Sequence, residues 1–381
     1  MSQRLKKKVV VGMSGGVDSS MTAALLQEEG YEVIGITMQV WKADGEEDRG
    51  GCCTLSEIED ARRVAYQLGI PHYVLNFRSY FKKYVVDYFI DSYLRGETPN
   101  PCLACNRYVK FDELLRRARG LGAEYIATGH YAKIWRDPDS GRYLLGKGLD
   151  DRKDQTYVLY TLTQEQMPYI RLPLGDYRKE TVRAMAKERG LTGVANKPDS
   201  QEICFVPDQD YAGFIRKNTA EPIISGNFVD SGGTVLGRHQ GLIYYTVGQR
   251  KGLGITFGKP MFVIGLNARR NEVVLGEAEQ TYSRTLWAED IHWLALPALT
   301  EPLAVKAKIR YKAPEAAAVI SPDSLTPCGQ SAASSPERLK VVFEEPQRAV
   351  TPGQAVVFYQ EDRVLGGGKI IADPSDRSAI L

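Results

Sequence analysis

Long apolar runs are missing from this chain. No stretch approaches the roughly 18 uncharged apolar residues that a membrane-spanning helix needs, and the opening MSQRLKKKVVVGMSGG has neither the apolar stretch nor the small-residue cleavage site of a secretory leader. No membrane partner is expected, and the expected location is cytoplasmic. Cysteine is scarce, six in 381 residues, which excludes a disulfide scaffold and leaves the thiols to be free, metal-bound or catalytic. An excess of one charge is also missing: 49 Lys and Arg face 47 Asp and Glu, a net +2. Any polyanionic partner must therefore be met by local patches. Internal repeats are absent, and 43% hydrophobic with 25% charged residues excludes a largely disordered chain. The length exceeds the roughly 250–300 residues at which one core stops growing, so two or three domains are expected.

What is present begins with alternation. Lys8–Gly12 is a β-branched run ending in a glycine turn, and Val17–Glu29 carries apolar residues at helical spacing until Gly30 stops it. Strand over Glu32–Met38, helix over Ser56–Leu68, strand over His72–Asn76, helices over Tyr80–Leu94 and Phe111–Leu121, and strand over Tyr125–Thr128 follow. Such alternation predicts an α/β domain with a parallel sheet covered on both faces, closing near residue 205. Leu144–Tyr160 holds a charged loop and Lys179–Arg189 a further amphipathic helix. A glycine-rich stretch over 206–278 predicts a small β-rich connecting domain. Short strands over Leu303–Tyr311, Ala316–Ile320, Leu339–Phe343, Ala355–Gln360 and Val364–Ala372 predict a C-terminal β-barrel over 279–381, interrupted by a flexible Ser321–Arg338 loop.

Ser14-Gly15-Gly16-Val17-Asp18-Ser19-Ser20 lies between the first strand and the first helix. There, backbone N–H groups and the positive helix end can hold an anion, and serine hydroxyls add donors. It lacks the Lys-Ser/Thr ending of a Walker A loop and the spacing of a dinucleotide fingerprint. The bland alternative is a serine-capped helix start with Asp18 serving the dipole. The pattern S-G-G-x-D-S resembles the loop of the ATP pyrophosphatases, whose Rossmann-like domains cleave ATP between the α- and β-phosphates to adenylate an oxygen. That resemblance implies ATP as substrate, with Asp18 helping to hold the Mg²⁺ of the pyrophosphate.

Cys102 and Cys105 stand three apart in Thr98-Pro99-Asn100-Pro101-Cys102-Leu103-Ala104-Cys105. Half of a zinc site, a dithiol redox pair, or one thiol acting as a nucleophile with a distant partner are three open readings. The adjacent Cys52-Cys53 makes a poor second half for zinc, and a cluster ligated through Cys102, Cys105 and Cys204 is a further possibility. The stretches GMSGGVDSS, TPNPCLACNRYVKF, ATGHYAK, LDDRKDQTYVL, KPDSQEICFV, YYTVGQRKGLG and IRYKAPEA resemble, in one order and along the whole length, the tRNA-specific 2-thiouridylases.

That resemblance implies a division of labour. ATP adenylates O2 of the wobble uridine, position 34, and a persulfide on Cys204 supplies sulfur to C2. Cys105 is the nucleophile that liberates sulfide or resolves the persulfide as a Cys105–Cys204 disulfide. ATP falls to Gly12, Met13, Ser14, Gly15, Gly16, Val17, Asp18 and Ser19, with Met38 and Gly129 bordering the adenosine. Asn100, Pro101 and Cys102 fall to the tRNA, with Cys102 kept as a base-contacting position. Some relatives carry Asp, with a proposed catalytic role, where this chain has Cys102; here that role fails or a thiol substitutes. His130, Lys153, Asp154, Gln155, Arg310, Tyr311 and Gln354 are the further implied tRNA positions. Partners implied are tRNA, with Lys, Glu and Gln acceptors expected, and a persulfide-carrying sulfur donor such as a cysteine desulfurase or a relay protein. Cys52, Cys53 and Cys328 have no matched role; the first two are expected as small buried thiols and the third as a loop bystander. The barrel, with 11 Lys and Arg against 12 Asp and Glu over 281–381, is not broadly basic. Rival readings are another adenylating enzyme with the same loop, or a non-catalytic RNA-binding protein using the barrel alone.

Overall fold

The computed structural model describes residues 6–41, 55–198, 203–206, 208–255, 258–323 and 338–374. Cys52, Cys53, Cys328 and most of the expected Ser321–Arg338 loop lie outside the described residues. The chain forms two compact units. One takes residues up to Val86, Pro101–Gln209 and Asp362–Val364; the other takes Asp87–Asn100, Asp210–Glu361 and the chain from Leu365 on.

The first unit is built on a parallel sheet. Strand β1 (Lys8–Gly12) pairs with β2 (Glu32–Gln39) and β4 (Tyr125–Ala127); β3 (His72–Asn76) lies beyond β2 and β5 (Ile170–Arg171) beyond β4, giving the order β3-β2-β1-β4-β5. Val9, Val10 and Val11 are fully buried, each contributing about 1.5–3 kcal/mol, which makes β1 the centre. Helix α1 (Val17–Glu28) is buried over most of its length because the sheet lies on one side and further helices on the other. Ala23 and Ala24 allow that close approach. It ends as expected, with Gly30 at φ +90°. Helix α2 (Leu55–Leu68) and helix α3 (Lys179–Glu188) flank the sheet.

One local expectation is corrected. The helix expected from Phe111 starts ten residues earlier, at Pro101, where the fixed φ of proline suits the first helical position. Its middle, Cys105–Glu113, is wound as a π-helix before α-helical geometry resumes at Leu114. The wider turn breaks the 3.6-residue period on which the helix start was read. Just before the charged loop, Tyr143–Lys147 pairs antiparallel with Ala132–Arg136 as a hairpin that sequence reading did not anticipate.

In the second unit, β6 (Gly226–Val229), β7 (Val235–His239), β8 (Phe262–Asn267) and β9 (Glu272–Gly276) form a small sheet in the order β8-β9-β6-β7 over Phe228, Val263, Val273 and Leu275. The barrel follows: β10 (Tyr282–Trp293), β11 (Leu303–Lys308), β12 (Ala316–Pro322), β13 (Arg338–Arg348), β14 (Ala355–Gln360) and β15 (Arg363–Ile371). Their order is β10-β13-β12-β11-β14-β15, and β10 pairs with β15 to close the ring. Period-2 alternation turns Leu339, Val341 and Phe343 inward and Lys340 and Val342 outward. The long strand Tyr282–Trp293 had no clean alternation in sequence.

Candidate active site

Gly12 ends β1, and the chain turns through Met13–Gly16 into α1. Gly16 is the N-cap, and it makes no side-chain cap bond; the serine-capped reading of this helix start does not hold. The Ser19 and Ser20 hydroxyls instead donate to the Gly16 carbonyl at 3.1 and 2.8 Å, while Ser14 N–H donates to Ser19 Oγ at 3.2 Å. A helix N-terminus without a side-chain cap suits an anion. Gly15 has φ +72°, and a Cβ there would stand 2.4 Å from the Glu57 carbonyl oxygen, so the loop needs glycine. Met13 and Val17 are buried under the loop. Met13 is tied to β2, its N–H donating to Ile36 O and its carbonyl accepting from Thr37 Oγ1 at 2.9 Å. Half-buried Met38 lies over Gly12.

Asp18 is held from two elements distant in sequence. Lys179 Nζ donates to both carboxylate oxygens at 2.8 and 2.7 Å, and Tyr131 OH donates to Oδ1 at 2.8 Å. The Lys179 side chain is only 8% exposed and that of Asp18 32%. Lys179 opens α3, and its backbone N–H donates to Asp150 Oδ2 at 3.0 Å. That N–H bond, first among the causes, holds the Asp150 carboxyl below its ordinary range. Gln155 brackets Tyr131, its Oε1 accepting from Tyr131 N–H at 2.9 Å and its N–H donating to Tyr131 O at 3.1 Å. Sequence reading missed Lys179, Tyr131 and Asp150. One signal was present: a lysine at the first position of a helix opposes the macrodipole, and such a placement needs a partner.

Gly129 lies past the end of β4, where a Cβ would meet Asp18 at 2.8 Å. His130 beside it is 7% exposed, its Nδ1 is 2.7 Å from Thr128 Oγ1, and its ring tilts against Phe111 at 5.7 Å. Burial, with the charge of Lys110, pushes its pKa well below the ordinary histidine value and keeps the ring neutral. In the Lys153-Asp154-Gln155 loop, Asp154 is buried and accepts from Thr156 N–H and Oγ1, while Lys153 is half-buried.

Cys102 is exposed; Cys105 and Cys204 are half-buried. Helical residues 78–86 touch both the segment that carries Cys105 and the segment that carries Cys204. Phe81 packs edge-on against Phe205, next to Cys204, and Tyr84 stacks on Tyr108, three residues after Cys105. Asn106 is 2% exposed, donates to Val158 O at 2.8 Å, and buries an Oδ1 that has no hydrogen-bond partner among the described residues. Pro101 is buried. Among the described residues no group of three or more His, Cys, Asp or Glu is placed to hold a metal ion.

In the second unit, Asn100 is half-buried. Gln354 Nε2 donates to Thr98 O at 2.8 Å and Thr98 N–H donates to Pro352 O at 2.9 Å. Exposed Arg310 donates to Arg348 O at 2.9 Å, and Lys308 Nζ lies 5.8 Å from the centre of the half-open Tyr311 ring.

Residues 7–208 match the family described as tRNA methyl transferase HUP domain, residues 212–277 its PRC-barrel domain, and residues 283–370 an aminomethyltransferase β-barrel domain. A tRNA-specific 2-thiouridylase of Desulfitobacterium hafniense is 63% identical over 368 residues, covering 96% of this chain and 98% of that protein. One of Clostridioides difficile is 55% identical with the same two coverages. Among solved structures, a 4-thiouridine synthetase with RNA and bound ATP is similar at a TM-score of 0.32 and 16% identity, over 55% of this chain and 50% of that one. The full-length relatives decide the assignment: this chain belongs to the tRNA-specific 2-thiouridylase family.

Proposed function

We propose that this chain is a tRNA-uridine 2-sulfurtransferase that uses ATP to replace O2 of the wobble uridine, position 34, by sulfur, releasing AMP and pyrophosphate. The observation that carries the reading is the 63% likeness over 96% of the chain to a tRNA-specific 2-thiouridylase. The uncapped loop at the end of β1 supports it from the geometry. The ATP phosphates lie along Gly12–Ser19 and the α1 N-terminus, with Met38 and Gly129 beside the adenosine. Uridine O2 attacks the α-phosphorus, the bond to the bridging oxygen breaks, and pyrophosphate leaves. Lys179, buried and bonded to Asp18 beside the loop, is a cation that stabilises that developing charge. The Asp18 carboxylate, a third exposed and a hard oxygen donor, would hold a Mg²⁺, which would supply charge neutralisation to the pyrophosphate.

Sulfur then comes from a persulfide on Cys204, loaded by an external persulfide donor. The Cys105 thiolate attacks the Cys204 sulfur, the S–S bond to the outer sulfur breaks, and hydrosulfide leaves. It attacks C2 of the adenylated uridine and AMP departs. The Cys105–Cys204 disulfide left behind is reduced by an external dithiol before the next turnover. Asn100, Pro101, Cys102, His130, Lys153, Asp154, Gln155, Arg310, Tyr311 and Gln354 make up the tRNA side of this reading. The boundaries near 205 and 278 set off the catalytic domain, the connecting domain and a barrel that adds further tRNA contacts, and the acceptors are those for Lys, Glu and Gln.

The test is reconstitution with unmodified tRNA, ATP and a persulfide donor, followed by nucleoside mass spectrometry. 2-Thiouridine at position 34 with one pyrophosphate released per product is the expected result. Cys204→Ser is expected to form adenylated tRNA and no thiolated product. Normal thiolation by that variant overturns the persulfide route, and normal thiolation by Cys105→Ser moves the second thiol role to Cys102.

A further inference from the structure

Residues 78–86 and 101–120 carry eight Lys and Arg against two Asp and Glu. That is more than double the average basic density of the chain, in a protein whose net charge is +2. One of the two acids, Glu113, is 1% exposed and bonded to Arg116 and Arg117, so it adds little to the outer charge. Three tyrosines form a ladder across these two helical segments. Tyr80 and Tyr84 have ring centres 5.1 Å apart, and Tyr84 and Tyr108 stack at 4.8 Å with their planes 23° apart. Exposed Lys83 has its Nζ 4.9 Å from the Tyr84 ring centre, and the Arg107 guanidinium lies 5.1 Å from that of Tyr108. Both are within cation–π range.

Positive charge interleaved with half-buried aromatic rings is the chemistry by which proteins hold single-stranded nucleic acid. The cations meet phosphates and the rings offer faces to bases. We infer that the Tyr80–Tyr84–Tyr108 ladder, with Lys83 and Arg107, is an RNA-binding platform that receives the anticodon loop beside Cys105. It rests on the proposed thiolation of tRNA and adds a surface that the whole-chain charge balance conceals. Tyr108 lies three residues beyond Cys105 on the same helical stretch, so a loop seated there is led toward that thiol.

The test is fluorescence anisotropy of a labelled anticodon stem-loop against the full chain at two salt concentrations, with ATP binding and thermal melting as controls. Lys83→Glu with Arg107→Gln is expected to weaken binding about tenfold or more at the lower salt and to lessen the salt slope by about 1–2. Tyr84→Leu with Tyr108→Leu is expected to weaken binding about 5- to 100-fold at both salts with the slope kept, because stacking involves no counterion release. ATP binding stays unchanged in both. Should the tyrosine pair unfold, the exposed Lys83 still decides the matter. Unchanged affinity and slope in Lys83→Glu with Arg107→Gln overturns the platform while leaving the thiolation reading intact. Lost thiolation at unchanged RNA affinity assigns the surface to a protein sulfur donor and overturns it as well. A wild-type chain that binds no tRNA overturns the platform and the thiolation reading together.

Discussion

Asp18 and Lys179 make an asymmetric pair, and the asymmetry is testable. The lysine is nearly dry and the carboxylate a third wet. Removing the negative partner strands a buried cation, whereas removing the lysine leaves a carboxylate that can rehydrate. Asp18→Asn is expected to lower stability by about 2–3 kcal/mol and Lys179→Met by about 1 kcal/mol, read by urea unfolding. On the proposed role in holding Mg²⁺, Asp18→Asn is further expected to abolish tRNA-dependent pyrophosphate release with tRNA affinity within about twofold. Pyrophosphate release at the wild-type rate ends that role for Asp18. His130 gives a second prediction. Its folded pKa lies well below the ordinary value, so between the two the unfolded chain binds the extra proton. Its contribution is intact above about pH 6.5 and declines as pH falls, by about 1.4 kcal/mol per unit, until the folded value is reached. His72 and His239 are shifted in the same direction, so the comparison is wild type against His130→Gln. The variant should lose less stability between pH 7 and 5, and parallel curves would show that His130 is not the group responsible.

Elements meet at distances that leave no room for a methyl group. The end of β4 approaches the start of α1 so closely that Gly129→Ala drives a Cβ into Asp18. A loss of about 1–3 kcal/mol is expected, with ATP affinity reduced and tRNA affinity kept. Calorimetry with ATP alone checks it, and wild-type ATP affinity in a folded variant would mean that the two elements can part. Much of this level was readable beforehand. The β-branched run at 8–12, the helix after the glycine loop and the inward alternation of the barrel strands follow from local propensity and period. The helix start at Pro101 was not readable, because Pro99-Asn100-Pro101 reads as a turn and the π-wound Cys105–Glu113 stretch has no 3.6-residue period.

On the scale of the whole molecule, the second unit holds its own 97–98 segment from the barrel side. Gly353 has φ +92°, and a Cβ there would stand 2.9 Å from Thr98 N and 3.0 Å from Glu97 Cβ. Lys369 pairs with Glu97 and with Glu289. Gly353→Ala is therefore expected to cost about 2–4 kcal/mol, conformation and clash together. Gly233→Ala, at φ +86° with nothing within 4 Å among the described residues, is expected to cost only the conformational share of about 1–2 kcal/mol. Equal melting temperatures for the two variants would remove the clash from the account.

Sequence alone determined whatever is local or periodic: the order of most strands and helices, the glycine loop S-G-G-V-D-S between the first strand and the first helix, the scarcity of cysteine, and the three thiols at 102, 105 and 204. Each depends on neighbours a few residues apart, so propensity and spacing carry it. Tertiary structure decided what Asp18 touches, 161 residues away at Lys179 and 113 away at Tyr131, and what Gln354 holds, 256 residues away at Thr98. It also gathered the Tyr84 and Tyr108 rings into one stack. Such meetings are made by two side chains brought together through packing of the elements that carry them. A pair of that kind leaves no period in the sequence, because its geometry exists only once the sheet and helices have closed around it.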